Sequence, residues 1–374
     1  MRKKNKIPTH HQKNYFPIVC IGGSAGGLEA FEDLLKNISN RPQMALVFIM
    51  HLAPGYKSLL PELLARLTKM PVSEITSGMI PEINHIYVKP SNASLVLYRG
   101  KLMLSALEPG NVKRMPIDTF FRSLANELGN RSIGVILSGT ATDGTLGAEA
   151  IKAEGGITFA QDAKTAKYND MPHSAISAGC VDFVFSPKKI AAELMRIAKQ
   201  PFILSPVLCK IDKTVITKNK SFEIIFDILR RAKGLDFTYY KHPTVLRRVS
   251  RRIILTKQGN LKNYVKFLRE SKNEAGNLYE DLLINVTGFF RDKKVFQALE
   301  KSIIPKIIKS KAKDEGIRVW VPGCSSGEEA YSIAMLFVES LRQKIDGFPL
   351  QIFATDASDK SIHKARRGVY GPSI

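Results

Sequence analysis

Apolar residues along the chain fall into two alternating kinds of run. Short runs rich in β-branched residues, Ile18–Ile21, Met44–Met50, Ile133–Leu137, Ile157–Ala160 and Val181–Phe185, predict strands. Between them apolar residues recur at helical spacing, as Leu28, Phe31, Leu34, Leu35 and Ile38 do, and a further helix is expected around Leu59–Leu67. Shorter runs at Ile86–Val88, Leu95–Tyr98 and Leu102–Leu104 also read as strands, the last two joined by an Arg99-Gly100 turn as a hairpin. Strands alternating with helices predict an α/β domain, a doubly wound and mainly parallel sheet over residues 16–200, after a basic leader at 1–15.

The pattern then changes. Residues 201–220, with Pro201, Pro206 and scattered lysines, read as a linker. From 221 to 284 the periodicity is helical throughout, with Phe222, Ile225, Phe226 and Leu229 on one stripe, which predicts a small all-α domain. Residues 285–374 return to α/β order: a strand at Arg318–Val321, a glycine-rich turn, a helix at Glu329–Leu341 and a strand at Leu350–Thr355. Two strands are too few to bury the faces of an open sheet, so this last part is expected to be an incomplete Rossmann-like domain, with the natural chain continuing past Ile374.

Composition adds one localised feature. The 374 residues include 56 Lys+Arg and 34 Asp+Glu, a net charge of +22, and residues 210–272 alone hold 17 basic and 5 acidic side chains. An electropositive face seeking an acidic partner is expected there: nucleic acid, anionic lipid or an acidic protein surface. The four cysteines are dispersed without a Cys-x-x-Cys pair, the usage of a cytoplasmic protein, and no metal site is predicted. No apolar run reaches ~18 residues, which argues against membrane insertion.

Candidate chemistry begins at Gly22-Gly23-Ser24-Ala25-Gly26-Gly27, between the first strand and its helix. Such a turn suits either a serine nucleophile or a phosphate loop. His51 ends the next strand and Asp143 lies in Ser138-Gly139-Thr140-Ala141-Thr142-Asp143-Gly144, beyond another strand. All three then reach the carboxyl edge of a parallel sheet, and nucleophile, base and orienting carboxylate are what acyl transfer requires. The order Ser, His, Asp departs from that of ordinary α/β-hydrolases. Together with His51-Leu52-Ala53-Pro54-Gly55, Arg114-Met115-Pro116-Ile117-Asp118 and Met171-Pro172, these segments resemble the catalytic domain of the chemotaxis protein-glutamate methylesterases (CheB-type). The resemblance implies Ser24 as nucleophile, His51 as general base and acid, Asp143 as its orienter, and loop amides near Thr140 at the oxyanion. It further implies methyl esters of receptor glutamates as substrate, with glutamine deamidation in many members. Met50 stands where the family commonly has Gln, and residues 1–15 cannot hold a receiver domain, so direct control by phosphorylation is not expected.

Gly323-Cys324-Ser325-Ser326-Gly327 also fits the nucleophile pattern, but Asp356 rather than a histidine closes the next strand. A glycine turn followed by an acidic strand end suits a nucleoside ligand, although the glycine spacing is not that of a dinucleotide fingerprint. With Asp281 to Asp292, Val319 to Ser332, Tyr240-Lys241 and Phe353-Ala354-Thr355-Asp356, the segment from about 222 onward resembles the chemotaxis receptor glutamate methyltransferases (CheR-type). That likeness implies S-adenosylmethionine as cofactor, contacted by Asn285, Thr287, Arg291, Glu329 and Asp356, in a transferase expected to be inactive as truncated. Arg247, Arg248, Arg251 and Arg252 recur at three- and four-residue spacing, so one helix face can present guanidinium groups to carboxylates. In the family, such a helix faces the acidic cytoplasmic helices of methyl-accepting chemoreceptors. Nucleic acid is not an expected partner, since no recognisable nucleic-acid module accompanies the charge. The expectation is thus a bifunctional chemosensory fusion; the alternatives are a hydrolase or deamidase of another protein, and a signalling scaffold whose basic domain docks acidic helices.

Overall fold

A computed structural model describes residues 16–51, 59–106, 115–200, 219–283, 287–310, 315–341 and 349–370. They belong to two units, Met1–Ala275 and Gly276–Ile374. The linker expected at 201–220 lies, but for its last two residues, outside the described residues, as does the leader.

The first unit is built on seven strands: β1 (Ile18–Gly23), β2 (Ala45–Met50), β3 (Val72–Glu74), β4 (Ile86–Val88), β7 (Ser132–Ile136), β8 (Ile157–Gln161) and β9 (Phe183–Phe185). Their order is β3-β4-β2-β1-β7-β8-β9 and every pairing is parallel. The doubly wound sheet expected from the sequence is the one observed. β3 escaped the pattern because it has only three residues at the sheet edge, two partly buried and Glu74 exposed. β5 (Ala93–Tyr98) and β6 (Lys101–Ala106) form a separate antiparallel hairpin. Its two turn residues, Arg99 and Gly100, have φ of 50° and 75°, the left-handed pair that a two-residue hairpin favours.

Both faces of the sheet are covered, which is why the central strands read as unbroken apolar runs. On one face Val19, Ile21, Leu46 and Phe48 pack with α1 (Gly27–Lys36) and α6 (Pro187–Ala198); Phe31 stacks on Phe48 at 4.1 Å between ring centroids. The alternate residues Ile18, Cys20, Val47 and Ile49 pack on the other face with α3 (Pro116–Leu128), α4 (Thr145–Ala153) and α5 (Asp170–Ser177). Successive side chains of a strand point to opposite faces, so one run serves two cores. The chain leaves β1 toward β2 on one side and continues from β7 through β8 to β9 on the other. A crevice therefore opens at the carboxyl ends of β1 and β7.

The same unit includes α7 (Lys220–Lys233), α8 (His242–Leu255) and α9 (Leu261–Glu270). Asn219 and Asn260 cap two of these helices by accepting from Ser221 N and Asn263 N, and Pro243 opens the third. α8 reaches the sheet layer: Ile254 belongs to the core beneath α1 and α6. The unit boundary falls inside α10 (Glu274–Leu282).

In the second unit β10 (Ile317–Pro322) and β11 (Leu350–Thr355) pair in parallel. α13 (Glu328–Leu341) supplies Leu336, Phe337 and Leu341 to a core shared with Ile304 and Ile308 of α12 (Ile304–Ser310). Trp320 and Phe353 on the strands stay exposed. Two shorter helices, α11 (Lys293–Ala298) and α14 (Asp359–Arg367), complete it. Among the described residues no helix is long and apolar enough to cross a membrane.

Replacing Phe31 by Ala should lower the stability of the first unit by about 3–5 kcal/mol, because a fully buried stacked ring leaves a void between α1 and β2. A drop in the urea midpoint at unchanged slope would show it.

Candidate active site and cofactor cavity

Ser24 follows β1 directly, and the register that pairs Gly23 with Met50 puts His51 at the neighbouring strand end. His51 N donates to Gly23 O at 3.4 Å, so the two residues sit about one strand spacing apart, roughly 4.8 Å along the hydrogen-bonding direction. The turn carrying Ser24 is tied to the loop after β7: Ser24 N donates to Ser138 O at 3.0 Å, and Ser138 Oγ donates to Ala25 O at 2.8 Å. Close approach explains two glycines. At Gly26, with φ of 72°, a Cβ would lie 2.7 Å from Ser138 Oγ; at Gly139 it would overlap the Met171 sulfur and come within 2.9 Å of Ser24 Cβ.

Asp143 is wholly buried, and its Oδ2 lies 2.8 Å from His51 Nε2. Both carboxylate oxygens also accept amides from the first turn of α3, Ile117 N on Oδ2 at 3.0 Å and Asp118 N on Oδ1 at 2.9 Å. A helix N-terminus thus holds the charge that burial would otherwise penalise. A carboxylate in its ionised form can only accept, and opposite it the ring would donate from Nε2 and keep Nδ1 as an acceptor. Among the described residues no hydrogen bond joins Ser24 Oγ to the ring; such bonds commonly tighten only when substrate is present. Met50 packs, partly buried, against the apolar core.

Asp118 is a residue to which the sequence reading gave no role, although it lies within one of the quoted segments. Its Oδ1 accepts from Gly147 N, in the first turn of α4, at 2.6 Å. Burial pushes its carboxyl up to about 6, with the Gly147 N–H opposing and the Asp143 charge adding. Two carboxylates therefore cross-brace two helices: Asp143, just before α4, binds the start of α3, and Asp118 on α3 binds the start of α4.

In the second unit, Thr287, Arg291, Glu329 and Asp356 line one cavity together with Phe296 and Ser325. Asn285 lies outside the described residues. Asp356 accepts from Ser325 N and Ser358 N, each at 2.8 Å, and so shapes the turn after β10. Ser325, at φ 48°, keeps a buried hydroxyl with no hydrogen-bond partner among the described residues, and the neighbouring strand is followed by this carboxylate rather than an imidazole. Acceptor carboxylates beside an unpartnered buried hydroxyl fit a polar ribose-bearing ligand better than a nucleophile.

The open guanidinium face expected from the arginine spacing is not what the fold presents. Arg248 and Arg251 are buried, donating to Lys152 O and Ala153 O and to Gly156 O respectively, and Arg251 is ion-paired with Asp182. Arg247 pairs with Glu154 at 3.1 Å, and Arg252 holds Glu274 by two bonds of 2.9 and 2.7 Å. The basic face of α8 meets the carbonyls at the end of α4 instead of solvent.

Compared with known proteins, residues 19–194 match the CheB methylesterase family, 220–283 the CheR methyltransferase all-alpha domain, and 285–374 the CheR methyltransferase SAM binding domain. The chain joins a CheB methylesterase domain to CheR methyltransferase domains. An uncharacterized 104.1 kDa protein of Rhodobacter capsulatus is 33% identical over 83% of this chain and 35% of its own length. A protein-glutamate methylesterase/protein-glutamine glutaminase of Carboxydothermus hydrogenoformans is 32% identical over 49% of this chain and 55% of its own. The chain thus spans between a third and somewhat over half of the curated relatives it matches. The CheB methylesterase catalytic domain of Thermotoga maritima, known from a crystal structure, is 29% identical over 49% of this chain and 98% of that one, with a TM-score of 0.46.

Because the Asp118 carboxyl titrates near 6 in the fold and near 4 when unfolded, the folded chain retains a proton that the unfolded chain has released across that window. This group's contribution should therefore fall by about 3 kcal/mol as pH rises from about 4 to 6. Asp118→Asn removes that slope; the difference between the two proteins in urea unfolding at pH 4 and pH 6.5 measures it.

Proposed function

We propose that the first unit hydrolyses glutamyl methyl esters on the cytoplasmic helices of chemoreceptors, with Ser24, His51 and Asp143 as its triad. The observation that carries this is the His51–Asp143 pair at 2.8 Å, fixed by two α3 amides, at the strand end beside Ser24. Ser24 Oγ attacks the ester carbonyl while its proton passes to His51 Nδ1. The tetrahedral intermediate collapses, breaking the bond to methoxide, which leaves as methanol with that proton. Water then attacks the acyl-enzyme, again giving its proton to His51, and Ser24 is released with the free glutamate. Asp143 holds the ring and stabilises the imidazolium without itself taking the proton. Ser24 N and Gly27 N are committed to Ser138 O and Ser24 O, and the proposed oxyanion donors are loop amides near the exposed Thr140. A glutamine side chain would follow the same route with ammonia leaving, and the C. hydrogenoformans relative carries both activities in its name.

For the second unit the proposed cofactor is S-adenosylmethionine, which supplies an electrophilic methyl group when bound. Glu329 and Asp356 would accept from ribose and ammonium donors, Arg291 and Thr287 would hold the carboxylate end, and Asn285 belongs to the same segment. The proposed setting is a chemosensory system in the cytoplasm, the acceptor carboxylates being receptor glutamates.

Ser24→Ala should reduce methanol release from a methylated receptor fragment about 10³-fold or more, and Asp143→Asn by about 10³–10⁴-fold through loss of the required tautomer. Undiminished hydrolysis by Ser24→Ala would overturn the assignment. Asp356→Ala should weaken S-adenosylmethionine binding to the whole chain by about 10–100-fold in calorimetry, since it removes a charged acceptor and loosens the Ser325 turn.

A further inference from the structure

The basic face of α8 has a partner inside the chain, and three independent kinds of contact build the seam. Apolar residues come first: Ile254 is part of the core that holds Leu194 and Ile197 of α6, and Leu255 packs against it. Helix ends come next. Arg248 donates to Lys152 O and Ala153 O, the last carbonyls of α4, while Arg196 of α6 donates to Ile254 O at the end of α8 at 2.9 Å. Each guanidinium therefore caps the carboxyl end of the other domain's helix, where a cation complements the helix dipole. Ion pairs complete the seam: Arg251 with Asp182, both buried, and Arg247 with Glu154, about two-fifths exposed. The fit is close, for a Cβ at Gly155 would lie 3.3 Å from Arg247 Cβ.

This is the chemistry by which an arginine helix would grip an acidic polypeptide: planar forks on carboxylates and carbonyls, with one turn of helix between them. The two uses exclude each other, because a guanidinium that is buried on Asp182 and Gly156 O has no surface left for another carboxylate. We propose that the methylesterase unit occupies the arginine face of α8 as an internal substitute for an acidic polypeptide, so that an acidic helix reaches Arg247, Arg248 and Arg251 only when the seam opens. Opening has a second effect, which rests on the triad reading above. α4 starts at Thr145, two residues after Asp143, so the helix that loses its Arg248 cap is the one that leads from the catalytic carboxylate.

The test uses the whole chain and poly-L-glutamate as the acidic probe. In the unaltered protein, backbone amides of α8 and of residues 155–158 should be protected from hydrogen exchange, and poly-L-glutamate should bind weakly. Glu154→Gln combined with Asp182→Asn should lower protection on both sides of the seam and tighten poly-L-glutamate binding by about tenfold or more. Glu62→Gln with Glu74→Gln, at exposed sites on α2 (Leu60–Ala65) and β3, makes the same change in net charge without touching the seam and should leave both readings near their starting values. An equal gain in that control, or α8 amides exchanging at exposed rates in the unaltered chain, would overturn the proposal. If the double variant does not fold, Glu154→Gln alone decides: it removes only the part-exposed pair and should give a smaller gain in the same direction, and no gain would count against the seam. None of these readings involves ester hydrolysis, so their failure is distinct from failure of the triad.

Discussion

The structure of the CheB methylesterase domain turns on one buried carboxylate. Asp143 has no access to water, and an ion in that position stands only if several donors reach it together. Two come from the first turn of α3 and one from His51, so the start of α3, the loop after β7 and the end of β2 must all be in place at once. The parallel sheet is the device that brings these pieces to one edge, and the reversal of strand order between β1 and β7 opens a crevice there. Asp118 adds the reciprocal tie to α4, at the cost of a second carboxylate in the same low-dielectric layer.

Much of this was legible in the sequence, for identifiable reasons. Strands covered on both faces must be apolar throughout, which made β1, β2, β7 and β8 visible as runs, and Ser24, His51 and Asp143 could be placed simply as residues that follow those runs. The hairpin showed itself because Arg99-Gly100 must adopt left-handed backbone. β3 stayed hidden, since a three-residue edge strand carries no period. Asp118 was also missed in its role: its importance comes from a contact with Gly147, 29 positions away, that no local pattern encodes.

The arginines of α8 illustrate the opposite limit. Spacing correctly placed them on one helix, and helix geometry correctly implied that guanidinium groups would cluster. What spacing could not say is which acceptors they meet, because Asp182, Glu154 and the α4 carbonyls become neighbours of α8 only through tertiary packing. A charge run thus predicts chemistry but not occupancy. In the second unit Thr287, Arg291, Glu329 and Asp356 border one cavity, with Ser325 added by the strained turn it occupies.

Ser24 and His51 follow the consecutive, paired strands β1 and β2, but Asp143 follows β7, which reaches β1 from far along the chain, Ile18 lying opposite Ser132. Pairings of such long sequence separation are slow to form, because chain entropy is lost before the contacts that compensate it exist. On the ribosome, Ser24 and His51 emerge long before Asp143, and β1 waits for β7 to become its neighbour. The His51–Asp143 pair, and any chemistry that rests on it, is consequently among the later features to form, because it waits for β7 to join β1.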